Sequence, residues 1–477
     1  MRHTLRRSCA ACARSKHSCD LGTPRCSRCI KRKVQCVYAN EPLAATPAVS
    51  GESGLSGESG LSGESGLSGE SGPLAGYRFW SIDPFESYPP TRLPREHVQR
   101  LIHSFLHKIA FQYYPLDLNA TTNPFLVSWW PIALGDPALF HVSLQTACLD
   151  EELMAQRGFH TSELLMVDSV ALLRRKVEDT SLALQDGTMN SVITLATIEF
   201  GKGNIKIAEM HVHGVKRLVD LRGGINAVRQ TSPLTARMVS WVSMLIMGHP
   251  QFETQDDAGI GHGIPPVPEW QLSSPTAQNP PELRGLNIGE EVRNVFIRLR
   301  SVFQAAERVP FTSTQLHDLR CFVIHRLLLT RDTTSHPSLL TECVRSATVL
   351  YMFTIQGPTY FSHGVIFNDI LNRLTEHLQQ RDLTQHTHDL IDIWFCAVGM
   401  VASTDTPHYP WYMKRAEAAI TSLHLGTWED VFIRIKGFLW LETQQGENIF
   451  RPHWDTVLKR KSPGAVGPES VYLTENH

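Results

Sequence analysis

Six cysteines stand close together near the start of the chain, at Cys9, Cys12, Cys19, Cys26, Cys29 and Cys36. Their spacing is C-x2-C-x6-C-x6-C-x2-C-x6-C, so the unit C-x2-C-x6-C occurs twice, from Cys9 to Cys19 and from Cys26 to Cys36. Thiols at this density either oxidise to disulfides or, as thiolates, ligate metal. A basic module this short cannot bury enough apolar surface to fold unaided, so one of the two must staple it.

The compartment decides between them. Met1 to Arg7 has no apolar stretch for a signal peptide, and no run approaches the roughly 18 apolar residues of a membrane span. The expectation is an intracellular protein with no membrane partner, whose thiols stay reduced and bind metal. Two tetrahedral zinc ions need eight ligand positions, which six thiolates fill when two sulfurs bridge; structural sites of this kind are closed. A cross-braced RING needs eight ligands, and His17 does not supply the missing pair. A zinc ribbon uses two C-x2-C pairs without further cysteines between and after them. The x6 step after each pair, used twice, separates the module from both.

Charge divides as sharply as the cysteines do. Residues 1–40 hold ten basic residues against Asp20, a formal +9; the rest holds 35 basic and 46 acidic residues, a formal −11. The overall −2 conceals a polyanion-binding head on an acidic body. Two Zn²⁺ on six thiolates carry −2, which leaves the head at about +7.

The elements that position these groups follow from pattern. Ala10–His17 and Ser27–Lys33 are each expected to form a short helix after a C-x2-C pair, joined by a loop at Asp20–Pro24. Residues 41–76 read as a linker. From Gly51 the hexapeptide Gly-Glu-Ser-Gly-Leu-Ser runs three times, and two glycines per repeat oppose helix and strand. A flexible tether and a repeat expansion without a selected role both fit. Leu at every sixth position matches no heptad, so no coiled coil follows the cysteines. Residues 77–93 mix aromatics, acids and prolines and read as an extended lead-in packed on the body, with an activation motif as the alternative.

From Pro94 to about Arg460 the apolar period is helical. One face is Val98, Leu101, Ile102, Phe105, Leu106 and Ile109. Asp136-Pro137 is an N-cap with Pro at the first helical position. Helices follow at Leu164–Val177, Val192–Phe200, Ile205–Leu221 (closed by Arg222-Gly223-Gly224) and Leu234–Met247. Residues 249–285 read as a long loop. Helices resume at 286–309, 314–331, 337–354, 364–380, 385–402 and 410–424. Thr427-Trp-Glu-Asp430 reads as a capping box before Val431–Glu442. Cys148, Cys321, Cys343 and Cys396 sit in apolar contexts and are expected in the core. The chain is therefore mainly α: a small two-zinc, six-cysteine cluster of two short helices (1–40), a flexible linker (41–76), a large all-helical domain (77–460) and a disordered tail (461–477).

With these residues in place, residues 9–36 resemble the fungal Zn2Cys6 binuclear cluster. Beyond the six cysteines, Lys16 falls four residues after the second Cys and Pro24 two before the fourth, as in that family. The resemblance implies that Cys9 and Cys26 bridge two structural Zn²⁺ ions. It implies that the first helix sets its end in the major groove of double-stranded DNA at CGG-type triplets. Lys16 would then lie next to the bases, His17 beside it, where a Lys donates to guanine O6 and N7. Arg14, Arg25, Arg28, Lys31, Arg32 and Lys33 would mainly meet phosphates.

The body resembles the second type of fungal-specific transcription-factor domain across most of 95–455. The resemblance rests on Asn123-Pro124-Phe-Leu, on Leu134-Gly-Asp136-Pro137-Ala-Leu139, and on Ala208-x-x-His211-x-x-Gly214 leading to Arg217-Leu-Val-Asp-Leu-Arg-Gly-Gly224. It departs from the pattern at Glu209 and Met210. Together the resemblances imply a nuclear, sequence-specific transcription factor. They imply an RNA polymerase II activator that engages the transcription machinery and acts as local regulator of a secondary-metabolite gene cluster. Control of carbon, nitrogen or stress genes, or a zinc-bearing co-regulator working through protein contacts, are the alternatives. A monomer and a body-mediated homodimer both fit a linker without heptads.

Enzyme motifs fail. Gly259-Ile-Gly-His-Gly263 is not G-x-G-x-x-G, Gly201-Lys-Gly203 lacks P-loop spacing, and neither G-x-S-x-G nor H-E-x-x-H occurs. His211 and His213, two apart on a helix, point in different directions and read as packing or surface residues. No catalysis is expected.

Overall fold

Asp136 opens the helix that much of the body is packed around. Its carboxylate accepts hydrogen bonds from the amides of Ala138 (3.1 Å) and Leu139 (3.3 Å), and its other oxygen pairs with Lys176. In this computed structural model, residues 10–15, 27–34, 88–113, 119–156, 158–273, 283–329, 338–355, 363–384 and 389–461 are described. The expected linker, 41–76, lies outside them, as do residues 462–477 of the expected tail. Among the described residues there is no strand, only an isolated bridge between Thr254 and Ile264.

The Pro137–Ala155 helix packs against His160–Glu178 and Asp186–Gly201, and the latter also carries Ile205–Leu221 and Pro233–Met247 on its flanks. Asp186–Gly201 is buried along most of its length, polar residues included. Three of its hydroxyls turn back onto their own helix. Ser191, Thr194 and Thr197 donate to the carbonyls of Gly187, Asn190 and Ile193 at 2.6–2.8 Å, so burial leaves these groups satisfied.

The second half is built around Leu390–Ala402, which touches Tyr409–Ser422, Trp428–Phe438 and Gln444–Lys461, and around Leu339–Thr354 against Gly364–Thr384. One contiguous apolar core runs from Leu93 to Val457. Pro233–Met247 joins the halves by packing on Ser313–Leu329. There Asp318 accepts both guanidiniums of Arg229 and Arg237 at 2.8–3.1 Å. Burial pushes the Asp318 carboxyl up, but the two arginines outweigh it and hold the group at about 2.

Most expected helices are present, and Ile205–Leu221 has the expected ends. The lead-in packs on the body as far as it is described. Tyr88 stacks on Phe140 at 5.7 Å, Leu93 is buried, and Arg92 pairs with Asp168 at 2.8 Å. The differences are local. The face from Val98 to Ile109 is not one regular helix: Arg95–Ser104 passes into a π-helical turn at Phe105–Ile109, which spacing alone does not reveal. The helix after the Thr427 capping box stops at Phe438 rather than Glu442. The loop expected at 249–285 contains a short helix, Pro268–Leu272. Gly263 within it is required by close approach, since a Cβ there would lie 2.2 Å from the Glu253 carbonyl oxygen. The glycines of 259–263 therefore serve a tight loop.

Candidate metal centre

Among the described residues of the head are two helices of five residues, Ala10–Arg14 and Ser27–Lys31, which lie against each other. Alanines favour the first, but helices this short do not hold themselves in water. Something must fix their ends and centres. Cys12 sits mid-helix at 2% exposure and Cys29 mid-helix at 1%. Among the head residues whose side chains are described, these two thiols alone are buried. Arg14, Ser15, Ser27, Arg28, Ile30, Lys31, Arg32, Lys33 and Val34 are all exposed, with Ile30 at 60%. The usual distribution is inverted: the apolar side chain is outside and the metal-ligating type is inside. A paired, buried thiol core inside a basic shell fits thiolate ligation of zinc.

Both helices end sooner than the pattern suggests. Ala10–Arg14 closes with the Ser15 amide on the Ala11 carbonyl at 3.2 Å. The second ends at Lys31 because Lys33 adopts the left-handed conformation, φ 52°. The Lys33 amide then donates to the Ile30 carbonyl (3.2 Å) and the Val34 amide to the Cys29 carbonyl (3.1 Å). This is the Schellman closure, usually supplied by glycine. Lys33 therefore shapes the turn beside Cys29 as well as adding charge.

Of the expected DNA-contacting residues, the structure places Arg14, Arg28, Lys31, Arg32 and Lys33 on the surface of the two helices and the turn that follows. Lys16, His17 and Arg25, like Cys9, Cys19, Cys26 and Cys36, lie outside the described residues.

In the body, the motif residues prove to be fasteners. Asn123 is fully buried. Its amide donates to the Ala110 carbonyl (3.1 Å) and its oxygen accepts the Phe125 amide (2.9 Å). Ala208 is buried, His211 is half-buried beside Glu199, and His213 is exposed, so the two histidines do point apart. Gly223 and Gly224 have φ of 96° and 92° and close the Ile205–Leu221 helix through the Gly224 amide on the Val219 carbonyl (2.9 Å). Arg222 pairs with Asp186 and donates to the Leu184 carbonyl (3.2 Å), Thr231 (2.7 Å) and Ser232 (3.1 Å). The Leu-Arg-Gly-Gly segment thus ties three helix ends together.

Cys148, Cys321, Cys343 and Cys396 are all buried, and burial pushes their thiols up to about 12, 12, 12 and 11. They are packing residues far from nucleophilic use. Besides the cluster at Asp318, sequence reading missed a second buried ionic cluster. Asp392, 1% exposed, accepts Arg381 and also Arg415 (2.9 Å); Arg415 further holds Asp382 (2.9 Å). The signal was present in Leu390-Ile-Asp392-Ile-Trp-Phe395, a lone carboxylate in an apolar run.

Two comparisons with known families agree with this geometry. Residues 7–44 match the fungal Zn(2)-Cys(6) binuclear cluster domain, and residues 100–248 match the fungal specific transcription factor domain. No curated protein and no solved structure matches the chain. The two matched domains, a fungal Zn2Cys6 cluster and a fungal transcription-factor domain, support a DNA-binding transcription regulator. Its cluster domain binds two zinc ions, and binds them as structural ions. The second match ends where the Pro233–Met247 helix does, so the resemblance expected over most of 95–455 is met in the first half of the body.

Proposed function

We propose that the protein is a nuclear, sequence-specific transcription factor whose six cysteines, Cys9, Cys12, Cys19, Cys26, Cys29 and Cys36, hold the two zinc ions. Cys9 and Cys26 bridge them. Lys16 reads base edges of CGG-type triplets, with His17 beside it, while Arg14, Arg25, Arg28, Lys31, Arg32 and Lys33 meet phosphates. The supporting observation is the burial of Cys12 and Cys29 inside a shell of exposed basic residues. No described helix is long and apolar enough to cross a membrane.

Residues 1–40 form the head, 41–76 the tether, 77–460 the regulatory body and 461–477 the tail. The protein activates RNA polymerase II transcription through contacts with the transcription machinery. Its targets are the genes of a secondary-metabolite cluster near its own gene, a reading that rests on the head-plus-body arrangement. The experiment is genome-wide occupancy of the full-length protein combined with transcript levels in a deletion strain. A shared CGG-containing motif at promoters whose transcripts fall on deletion supports the reading. Occupancy without a common motif would indicate a co-regulator acting through protein contacts. Dispersed carbon, nitrogen or stress targets would reassign the pathway alone.

A further inference from the structure

The Ile205–Leu221 helix packs on the core through Ala208, Val212, Val215, Leu218 and Val219. Its outer side is apolar too. Ile207, Met210 and Leu221 are exposed at 43%, 60% and 71%, and Gly214 lies between them. With Arg217 these positions run 207, 210, 214, 217, 221, a 3-4-3-4 step that keeps one stripe aligned with a second helix. This spacing lies on the outer face of a body helix, away from the linker where heptads are absent.

The charges beside the stripe indicate what covers it. Lys206, His213 and Asp220 follow one another at seven-residue steps along the flank, and all three are exposed. Lys206, Arg217 and Asp220 make no ion pair with any described residue. When a second copy of this helix is laid antiparallel with the two-fold axis beside His213, Lys206 of each copy faces Asp220 of the other. Arg217 then faces the end of the stripe that carries Met210 and, behind it, Glu209. A two-fold interface must be self-complementary in this way. A parallel pairing sets this flank against the opposite flank of the partner, so Lys206 and Asp220 do not meet.

We infer that this face is a homodimer interface, in which two copies of the Ile205–Leu221 helix pair antiparallel. One helix face per copy covers less than the roughly 800 Å² per partner of a standard stable interface, so association is weak and concentration-dependent. DNA that holds two heads raises the local concentration of the bodies and favours the pair.

The test is sedimentation of the full-length protein up to about 50 μM, a range suited to weak complexes. The wild type is expected to show a monomer–dimer equilibrium. Leu221→Asp and Lys206→Asp each weaken it about tenfold or more, because like charges or a buried carboxylate enter the pair. The double variant Lys206→Asp with Asp220→Lys returns dimerisation to wild-type strength. All three positions are exposed, and unchanged tryptophan emission verifies that each variant is folded. A monomeric wild type overturns the inference. So does a dimer indifferent to Leu221→Asp, or a charge swap that fails to restore association.

Discussion

The head and the body solve the same problem with opposite materials. In the body, a contiguous apolar core from Leu93 to Val457 holds the helices, and the buried carboxylates Asp318 and Asp392 are each matched by two arginines. In the head, two five-residue helices leave Ile30 outside and turn Cys12 and Cys29 inward. The first is stable in proportion to buried surface. The second is stable in proportion to metal–thiolate bonding, because binding a structural zinc is itself the folding energy. Two regions with independent sources of stability can be unfolded one at a time.

The largest effect expected is from the metal ligands. Cys29→Ser should abolish specific DNA binding, a loss of at least ~100-fold set against the roughly 10–16 kcal/mol of a structural zinc site, while the thermal transition of the body stays in place. Calorimetry beside a DNA-binding assay checks both halves. Asp392→Ala is the reverse case. It leaves Arg381 and Arg415 without their shared carboxylate and should destabilise the body by about 3–5 kcal/mol. DNA binding below the new transition should be unchanged; a loss of binding in the still-folded variant would break the separation.

Acid should act on the body in the same selective way. Burial holds His317, His325 and His363 neutral, with pKa values pushed down to about 3, 4 and 3. Once unfolded, each titrates near its ordinary value of about 6.5. The unfolded chain therefore binds more protons between those limits, and body stability should fall as pH drops through about 6.5 toward 4, with a slope approaching about three protons. Denaturation monitored by tryptophan emission at several pH values measures this. A flat profile from pH 7 to 4 would contradict the burial of these imidazoles.

The smallest effects compare residues within the head. Lys16→Ala should weaken binding to the preferred site by about 1–3 kcal/mol more than to random duplex, whereas Lys33→Ala should weaken both alike and lower the salt slope by about one. Lys33→Gly should match Lys33→Ala in affinity and keep the fold, since glycine suits the left-handed position at φ 52°. Competition binding at two salt concentrations separates the three.

Much of this division was legible from residue order. Cys9 to Cys36, the charge split, the Asp136-Pro137 cap and the Arg222-Gly223-Gly224 closure are local signals, each set by chemistry within a few residues. What was not legible is non-local. The pairing of Arg229 and Arg237 with Asp318 spans more than eighty positions, and nothing near Asp318 announces its partners. The π-helical turn at Phe105–Ile109 escaped because an inserted residue leaves the apolar face nearly aligned. The early end of the second head helix escaped because lysine, rather than glycine, occupies its left-handed cap.

A head built on metal and a body built on apolar packing can be followed separately in one sample. All ten tryptophans lie between residues 80 and 454, and none is in the head, so tryptophan emission reports the body alone. The direct measurement is a chelator titration of the full-length protein, monitored at once by zinc release, DNA binding and tryptophan emission. Two zinc ions per chain should be released and DNA binding lost in step with them, at constant tryptophan emission. DNA binding that survives zinc removal, or a body that unfolds along with it, would contradict a metal-built head independent of the body.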